Sequence, residues 1–206
     1  MSAPHVVTGI EALPRDGRRS AVTIGKFDGV HRGHQAVIGE AWAIAKAANA
    51  PLIVLTFEPH PRSFFKPDEA SFRLTPFRNK AHHLEALEID GLVVLSFDET
   101  LAGMEAEDFI QDVLVAGLAA RHVVVGYDFC FGKGRRGTPD MMREFGTFGV
   151  TTINPVTSAD QEIYSSTRIR NYLAAGKPGH AAAVLGRPFE IEARVEPGDQ
   201  RGRSIG

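Results

Sequence analysis

One cysteine, Cys130, stands alone in 206 residues, so no internal disulfide can form and a reducing compartment suits the chain. No apolar run approaches the roughly 20 residues that a membrane-spanning helix needs. The opening MSAPHVVTGIEAL has no basic stretch leading into a long apolar one, so it does not read as a signal peptide. Neither sign of charge dominates. The 23 Lys plus Arg against 25 Asp plus Glu leave a net −2, which offers no broad field to nucleic acid or an anionic membrane. Internal repeats and low-complexity tracts are also missing. With no targeting segment the cytoplasm is the default expectation, and the oligomeric state is left open.

What is present is ordinary globular material, 43% hydrophobic and 23% charged. Short Val/Ile-rich runs, apolar on both faces, predict buried parallel strands over Ala21–Ile24, Leu52–Phe57, Leu92–Phe97, His122–Val125 and Val150–Val156. Helices are expected between and after them, over Gly33–Ala48, Pro76–Leu87, Glu105–Leu118, Pro139–Phe145 and Thr167–Ala175. Thr75 is placed to cap the second of these, with Pro76 in its first turn. The alternation predicts an α/β, Rossmann-like parallel sheet with helices on both faces, and ligands gathering beyond the carboxyl ends of the strands. The pattern changes near Gly186. From Phe189 to Val195 polar and apolar residues alternate, as in one antiparallel-type strand, and a lone strand cannot bury itself. The expected organisation is a main domain over residues 1–186 and the beginning of a second, β-rich domain over 187–206.

Four loops carry candidate chemistry. The first, GKFDGVHRGH (25–34), runs from a strand into a helix. Its glycines permit tight turning, and the helix N-terminus is a natural phosphate site. His31 and His34, three residues apart, are spaced to present imidazoles to developing phosphate charge. The plain alternative is two surface histidines. Asp28 could instead make a local turn, and no carboxylate or cysteine cluster stands nearby to complete a metal set. In TFEPHPRSFF (56–65), Pro59 and Pro61 predict a stiff extended loop. Its phenylalanines either complete the core or wall a flat ligand. In GYDFCFGKGRRG (126–137), Phe129 and Phe131 are open to the same two readings. The basic tail is either a solvated loop or a flap over phosphates. In SSTRIRNYL (165–173), Ser165, Ser166 and Thr167 are N-cap types. Arg168 and Arg170 oppose the helix dipole, a conflict that an anion at the same helix end would resolve.

GKFDGVHRGH, TFEPHP, GYDFCFG with its GRRG tail and SSTRIR, in this order across residues 25–170, resemble the N-terminal module of the bifunctional bacterial riboflavin kinase/FAD synthetase family. GDQRGRSIG (198–206) is similar to the opening of that family's riboflavin kinase module, which continues into Phe-Pro-Thr-Ala-Asn beyond this chain. The resemblance implies an HxGH-type nucleotidyltransferase joining AMP from ATP to FMN, to give FAD and pyrophosphate. It implies catalytic roles for His31, His34 and Arg168. It implies an ATP site of Gly25, Phe27, Asp28, Gly29, His31, His34, Ser166, Thr167, Arg168 and Arg170. It also implies a flavin site of Phe57, His60, Pro61, Asp128, Phe129 and Phe131. Mg²⁺ would be held mainly by the ATP phosphates, without a protein cage. Lys26 stands at a position that varies in the family, and Thr138 follows GRRG where a small polar or acidic residue is usual. Another phosphorylated acceptor, or a non-catalytic flavin- or nucleotide-binding module, are the alternative readings.

Overall fold

Alternate residues of each central strand face opposite sides of one sheet, and both sides are covered. The structure, a computed structural model, describes residues 5–68, 73–193 and 196. Its strands are β1 (His5–Thr8), β2 (Ala21–Ile24), β3 (Leu52–Glu58), β4 (Gly91–Ser96), β5 (His122–Gly126) and β6 (Gly149–Ile153). They form a single parallel sheet in the order β1-β4-β3-β2-β5-β6. On one face Val22, Ile24, Ile53, Leu55, Val93, Leu95, Val123 and Val125 pack against the helix that starts at Ala106. On the other, Ala21, Leu52, Val54, Leu92, Val94 and Val124 meet α1 (Arg32–Ala47) and α3 (Phe77–Glu85). Coverage on both faces is why the strands read as continuous apolar runs.

The strands and main helices fall within a residue or two of the sequence expectation, apart from β6. That strand ends at Ile153, ahead of a loop that forms a small antiparallel bridge from Thr157 to Ile163. The expected helix over Glu105–Leu118 forms in two parts, α5 (Ala106–Asp108) and a wider π-type stretch over Phe109–Gly117. Pro61 does not extend its loop. It opens α2 (Pro61–Phe65), which His60 caps by accepting from the Arg62 N–H at 3.0 Å. Thr75 does not cap α3; Pro76 holds that position without a side-chain bond. The structure adds β1, α4 (Glu99–Gly103) and α8 (Pro178–Leu185), and contains α6 (Pro139–Phe145) and α7 (Ser166–Ala174) as expected.

α7 and α8 form a small satellite cluster around Ile169, Ala181, Val184 and Leu185, packed with Leu74. The strand expected over Phe189–Val195 is not formed over 189–193, where no neighbouring strand pairs with it. Its last two residues and the GDQRGRSIG stretch lie outside the described residues. No helix among the described residues is long and apolar enough to cross a membrane.

The chain leaves β2 in one direction, to β3 and β4, and later returns on the other side, to β5 and β6. The carboxyl ends of β2 and β5 therefore flank a topological switch point, the usual ligand crevice of open α/β sheets. Leu55, fully buried on the central β3, should carry much of the packing that holds this point. Leu55→Ala is expected to lower unfolding free energy by about 2–5 kcal/mol, measured by urea denaturation. A loss under about 1 kcal/mol would contradict the packing described.

Candidate active site

The loop after β2 is held in a conformation that its sequence alone does not favour. Phe27, Gly29 and Val30 have positive φ values of 49°, 87° and 42°, and Val30 is β-branched. The Phe27 ring lies over Gly25, where an added Cβ would come within 2.9 Å of it, so a side chain there would displace the ring. Asp28 is buried and accepts from the Leu74 N–H at 3.0 Å and the Thr75 N–H at 3.1 Å. Its carboxylate also forms an ion pair with Arg170 and accepts from the Thr75 hydroxyl at 3.3 Å. That hydroxyl in turn accepts from the Gly29 N–H at 2.9 Å. From the other side Ser166 Oγ donates to the Asp28 carbonyl at 2.8 Å. Two segments distant in sequence, Leu74 with Thr75 and the start of α7, thus meet on one loop.

The loop delivers the histidine pair to the N-terminus of α1. His31 caps the helix, its Nδ1 accepting from the His34 N–H at 3.4 Å. Nδ1 being the acceptor, the ring proton of neutral His31 sits on Nε2. The two imidazoles stack, with centroids 3.6 Å apart and planes 21° from parallel, and Phe27 meets His34 edge-on at 5.4 Å. Burial pushes His31 down to about 4, against a smaller opposing pull from Asp28, with Arg170 and Arg187 adding to the lowering. Burial also holds His34 well below the usual imidazole range, assisted by His31, Lys80 and Lys26. Both rings are therefore neutral near pH 7. A neutral ring offers a ligand one N–H donor and no net charge, unlike the protonated form that the sequence reading left open.

Of the two arginines in SSTRIR, the structure brings Arg170 to the loop and turns Arg168 elsewhere. Arg168 pairs with Glu162 and donates to Tyr172 Oη at 3.1 Å, lying over that ring. Neither is a bare solvent arginine. Ser165, rather than Ser166, caps α7, and Thr167 is exposed. Tyr164 O would lie 3.2 Å from a Cβ added at Gly33, so the entries to α1 and α7 are adjacent and a side chain at Gly33 would fit there only tightly.

The residues expected at a flavin site divide between core and surface. Phe57 and Phe131 belong to the core, packed on Phe97 and Phe109 respectively. Phe129 is half-buried and stacks on Phe131 at 5.8 Å, while Asp128 is exposed. His60 is buried and pushed down to about 4, chiefly by desolvation. Pro61 begins α2. Of the basic tail, Lys133 pairs with Glu105 at 3.2 Å.

Several participants escaped the sequence reading. Lys80, almost wholly buried, forms an ion pair with Glu58 at 2.8 Å and donates to the Lys26 carbonyl at 3.4 Å. Glu58 also pairs with Arg73. Desolvation lowers the Lys80 pKa, against Glu58. Lys26, next to the loop glycines, is lowered by desolvation and by Arg135 and Arg170. Arg187 and Gln35 hold the Val30 carbonyl. A signal was present for Lys80 alone: a lysine on the inward face of an amphipathic helix, opposite the lone Glu58 at a strand end. Among the described residues no group of three or more His, Cys, Asp or Glu could hold a metal ion.

A parallel sheet with a histidine pair at the helix entrance beside its switch point defines an α/β fold of the nucleotidyltransferase type. Residues 13–168 match the FAD synthetase family, and the chain belongs to it. It is 37% identical over 205 residues to the bifunctional riboflavin kinase/FMN adenylyltransferase of Escherichia coli K12, covering 98% of this chain and 65% of that protein. With the Bacillus subtilis 168 protein of the same name it shares 37% over 209 residues, covering 100% and 66%. The chain thus spans about 65% of the length of such relatives. A Streptococcus pneumoniae structure described as a macrolide-efflux protein superposes with a TM-score of 0.83 at 24% identity, over 99% of this chain and 66% of that one. A pantoate-beta-alanine ligase structure from Francisella tularensis superposes at 0.51 with 12% identity, over 94% and 90%. These two likenesses speak for the fold.

The buried neutral histidines make a prediction about acid stability. In an unfolded chain imidazole titrates near 6.5, whereas His31 and His60 in the fold titrate at about 4. Between these values the unfolded chain binds more protons. Stability present above pH 6.5 is therefore lost as pH falls toward 4. His31→Asn keeps an N-cap acceptor and removes one of these groups. Its urea midpoint should fall less steeply than that of the wild type between pH 6.5 and 4.5. Identical slopes would mean that His31 titrates normally in the fold.

Proposed function

We propose that the chain transfers AMP from ATP to FMN, giving FAD and pyrophosphate. The observation that carries this reading is the stacked, neutral His31–His34 pair at the N-terminus of α1, in a chain of the FAD synthetase family. A phosphate oxygen of FMN attacks the α-phosphorus of ATP. The bond from that phosphorus to the bridging oxygen breaks, and the electron pair leaves with pyrophosphate. No protein nucleophile is required.

The residues act by holding and stabilising. The helix N-terminus and neutral imidazole N–H groups receive phosphate oxygens as negative charge builds on them, with little reorganisation because the loop is already fixed. Lys26 and Arg170 add positive charge beside the loop. Arg168, seated over Tyr172, exchanges its Glu162 partner for a phosphate oxygen when the nucleotide enters. Ser166 and Thr167 line the entry to α7. Asp128 and Phe129 after β5, and His60 after β3, the two strands that flank β2, form the acceptor side, with Pro61 next to His60; Phe57 and Phe131 support it from the core. Mg²⁺ enters as part of the nucleotide substrate, held by phosphates and water.

The test is a chromatographic assay with ATP, Mg²⁺ and either FMN or riboflavin. FAD and pyrophosphate are expected with FMN, and the riboflavin arm shows whether a phosphorylated acceptor is required. An unaltered chain that yields no FAD, but adenylylates another phosphorylated acceptor, would move the assignment to that acceptor. His34→Ala should lower kcat by about 10² or more, the loss typical of removing one transition-state donor. Wild-type turnover in that variant would remove His34 from the mechanism.

A further inference from the structure

The residue that follows the last helix of the α/β domain reaches back into the site. Gly186 ends α8 in a left-handed turn, φ 80°, and the chain folds back onto α1. Arg187 Nη2 then donates to the Gly29 carbonyl at 2.9 Å, and Nη1 to the Val30 carbonyl at 3.2 Å. Its Nε donates to His83 Nε2 at 3.2 Å, which fixes the plane of the guanidinium. Gln35 Nε2 donates both to the Val30 carbonyl and to the Leu185 carbonyl, each at 2.9 Å, tying the end of α8 to the same place.

We propose that Arg187 is a positioning residue of the transfer site: by gripping the two carbonyls that precede His31, it sets the imidazole pair in register with the polyphosphate. The grip falls on Gly29 and Val30, both in the left-handed region. A β-branched residue persists in that region only where its surroundings over-determine it. A forked cation matches two successive carbonyls in a way that a point charge cannot. Any slackening at Val30 passes directly to His31, the next residue, which is both the cap of α1 and one member of the stacked pair. The Arg187 charge also helps to keep His31 neutral. Arg187 lies beyond the family match, which ends at residue 168, and on the far side of the domain boundary expected from sequence. The segment leaving the domain is therefore mechanically joined to its catalytic loop.

The kinetic part of this inference rests on the FMN adenylyltransferase reading; a spectroscopic readout does not. Arg187→Ala should lower kcat for FAD formation about tenfold to a hundredfold, as expected for losing charge-assisted hydrogen bonds that hold the loop, with KM values close to wild type. Arg187→Lys should recover part of that loss. Arg78→Ala, which removes an exposed pair with Glu192 on the same outgoing segment, should behave as wild type. In the absence of substrates, the His31 imidazole signal, assigned with His31→Asn, should titrate higher in Arg187→Ala than the wild-type value of about 4. Unchanged kcat together with an unchanged His31 titration would overturn the proposal. If Arg187→Ala does not fold, Arg187→Lys decides by the same two measurements. A wild-type chain that makes no FAD defeats the reaction reading alone, since the His31 titration still tests the grip.

Discussion

Asp28 is a buried carboxylate, and a buried carboxylate has to be answered by donors or a cation. Its answers come from two places: Leu74 and Thr75, through two backbone N–H groups and the Thr75 hydroxyl, and the guanidinium of Arg170. Because the two lie on different segments, satisfying one charge draws the lead-in to α3 and the first turns of α7 onto the loop after β2. The histidine pair stands three and six residues along the chain from Asp28. Its position relative to α7 is therefore set by this one carboxylate. In this light the aspartate of the GKFDGVHRGH motif is a hub that ties the loop to its neighbours.

Around that hub the electrostatics are arranged by burial. The histidines are held neutral by burial, and the cationic side chains beside the loop are Lys26, Lys80, Arg170 and Arg187. Lys80 is balanced by Glu58, and Glu58 by Arg73 as well. The Lys80 ammonium also reaches the Lys26 carbonyl, while Arg187 holds the Gly29 and Val30 carbonyls further along the same loop. The loop is held at both places before any ligand arrives. Such preorganisation is what makes fixed dipoles effective against charge that develops only in the transition state.

The doubly covered sheet was legible because burial on both faces demands runs of apolar residues, and Leu52–Phe57 and His122–Val125 are such runs. β1 was not, since its four residues are mostly exposed and pair with β4 alone at a sheet edge. α8 carries Pro178 and Gly179 at its start and draws its stability from packing on α7 and Leu74. Pro61 favours an extended chain in isolation, yet the preceding His60 supplies a cap and turns it into the first residue of a helix. Thr75 next to Pro76 has the pattern of a helix cap, but the unpaired Gly29 N–H and the Asp28 carboxylate compete for its hydroxyl and win.

The class of fold, the strand-to-helix loops that carry the histidines and arginines, and the kinship of residues 13–168 can all be read along the chain. Each of these is written locally, in apolar periodicity and in short runs of glycine, histidine and serine. Which arginine faces the loop, the burial that keeps both imidazoles neutral, the place of Phe57 and Phe131 in the core, and the bonds from Arg187 to the Gly29 and Val30 carbonyls come from tertiary contacts. Each of those outcomes depends on partners far along the chain, 142 residues for Arg170 and Asp28 and 158 for Arg187 and Gly29. Desolvation, which sets the protonation of the histidines, exists only once those distant segments have closed over them.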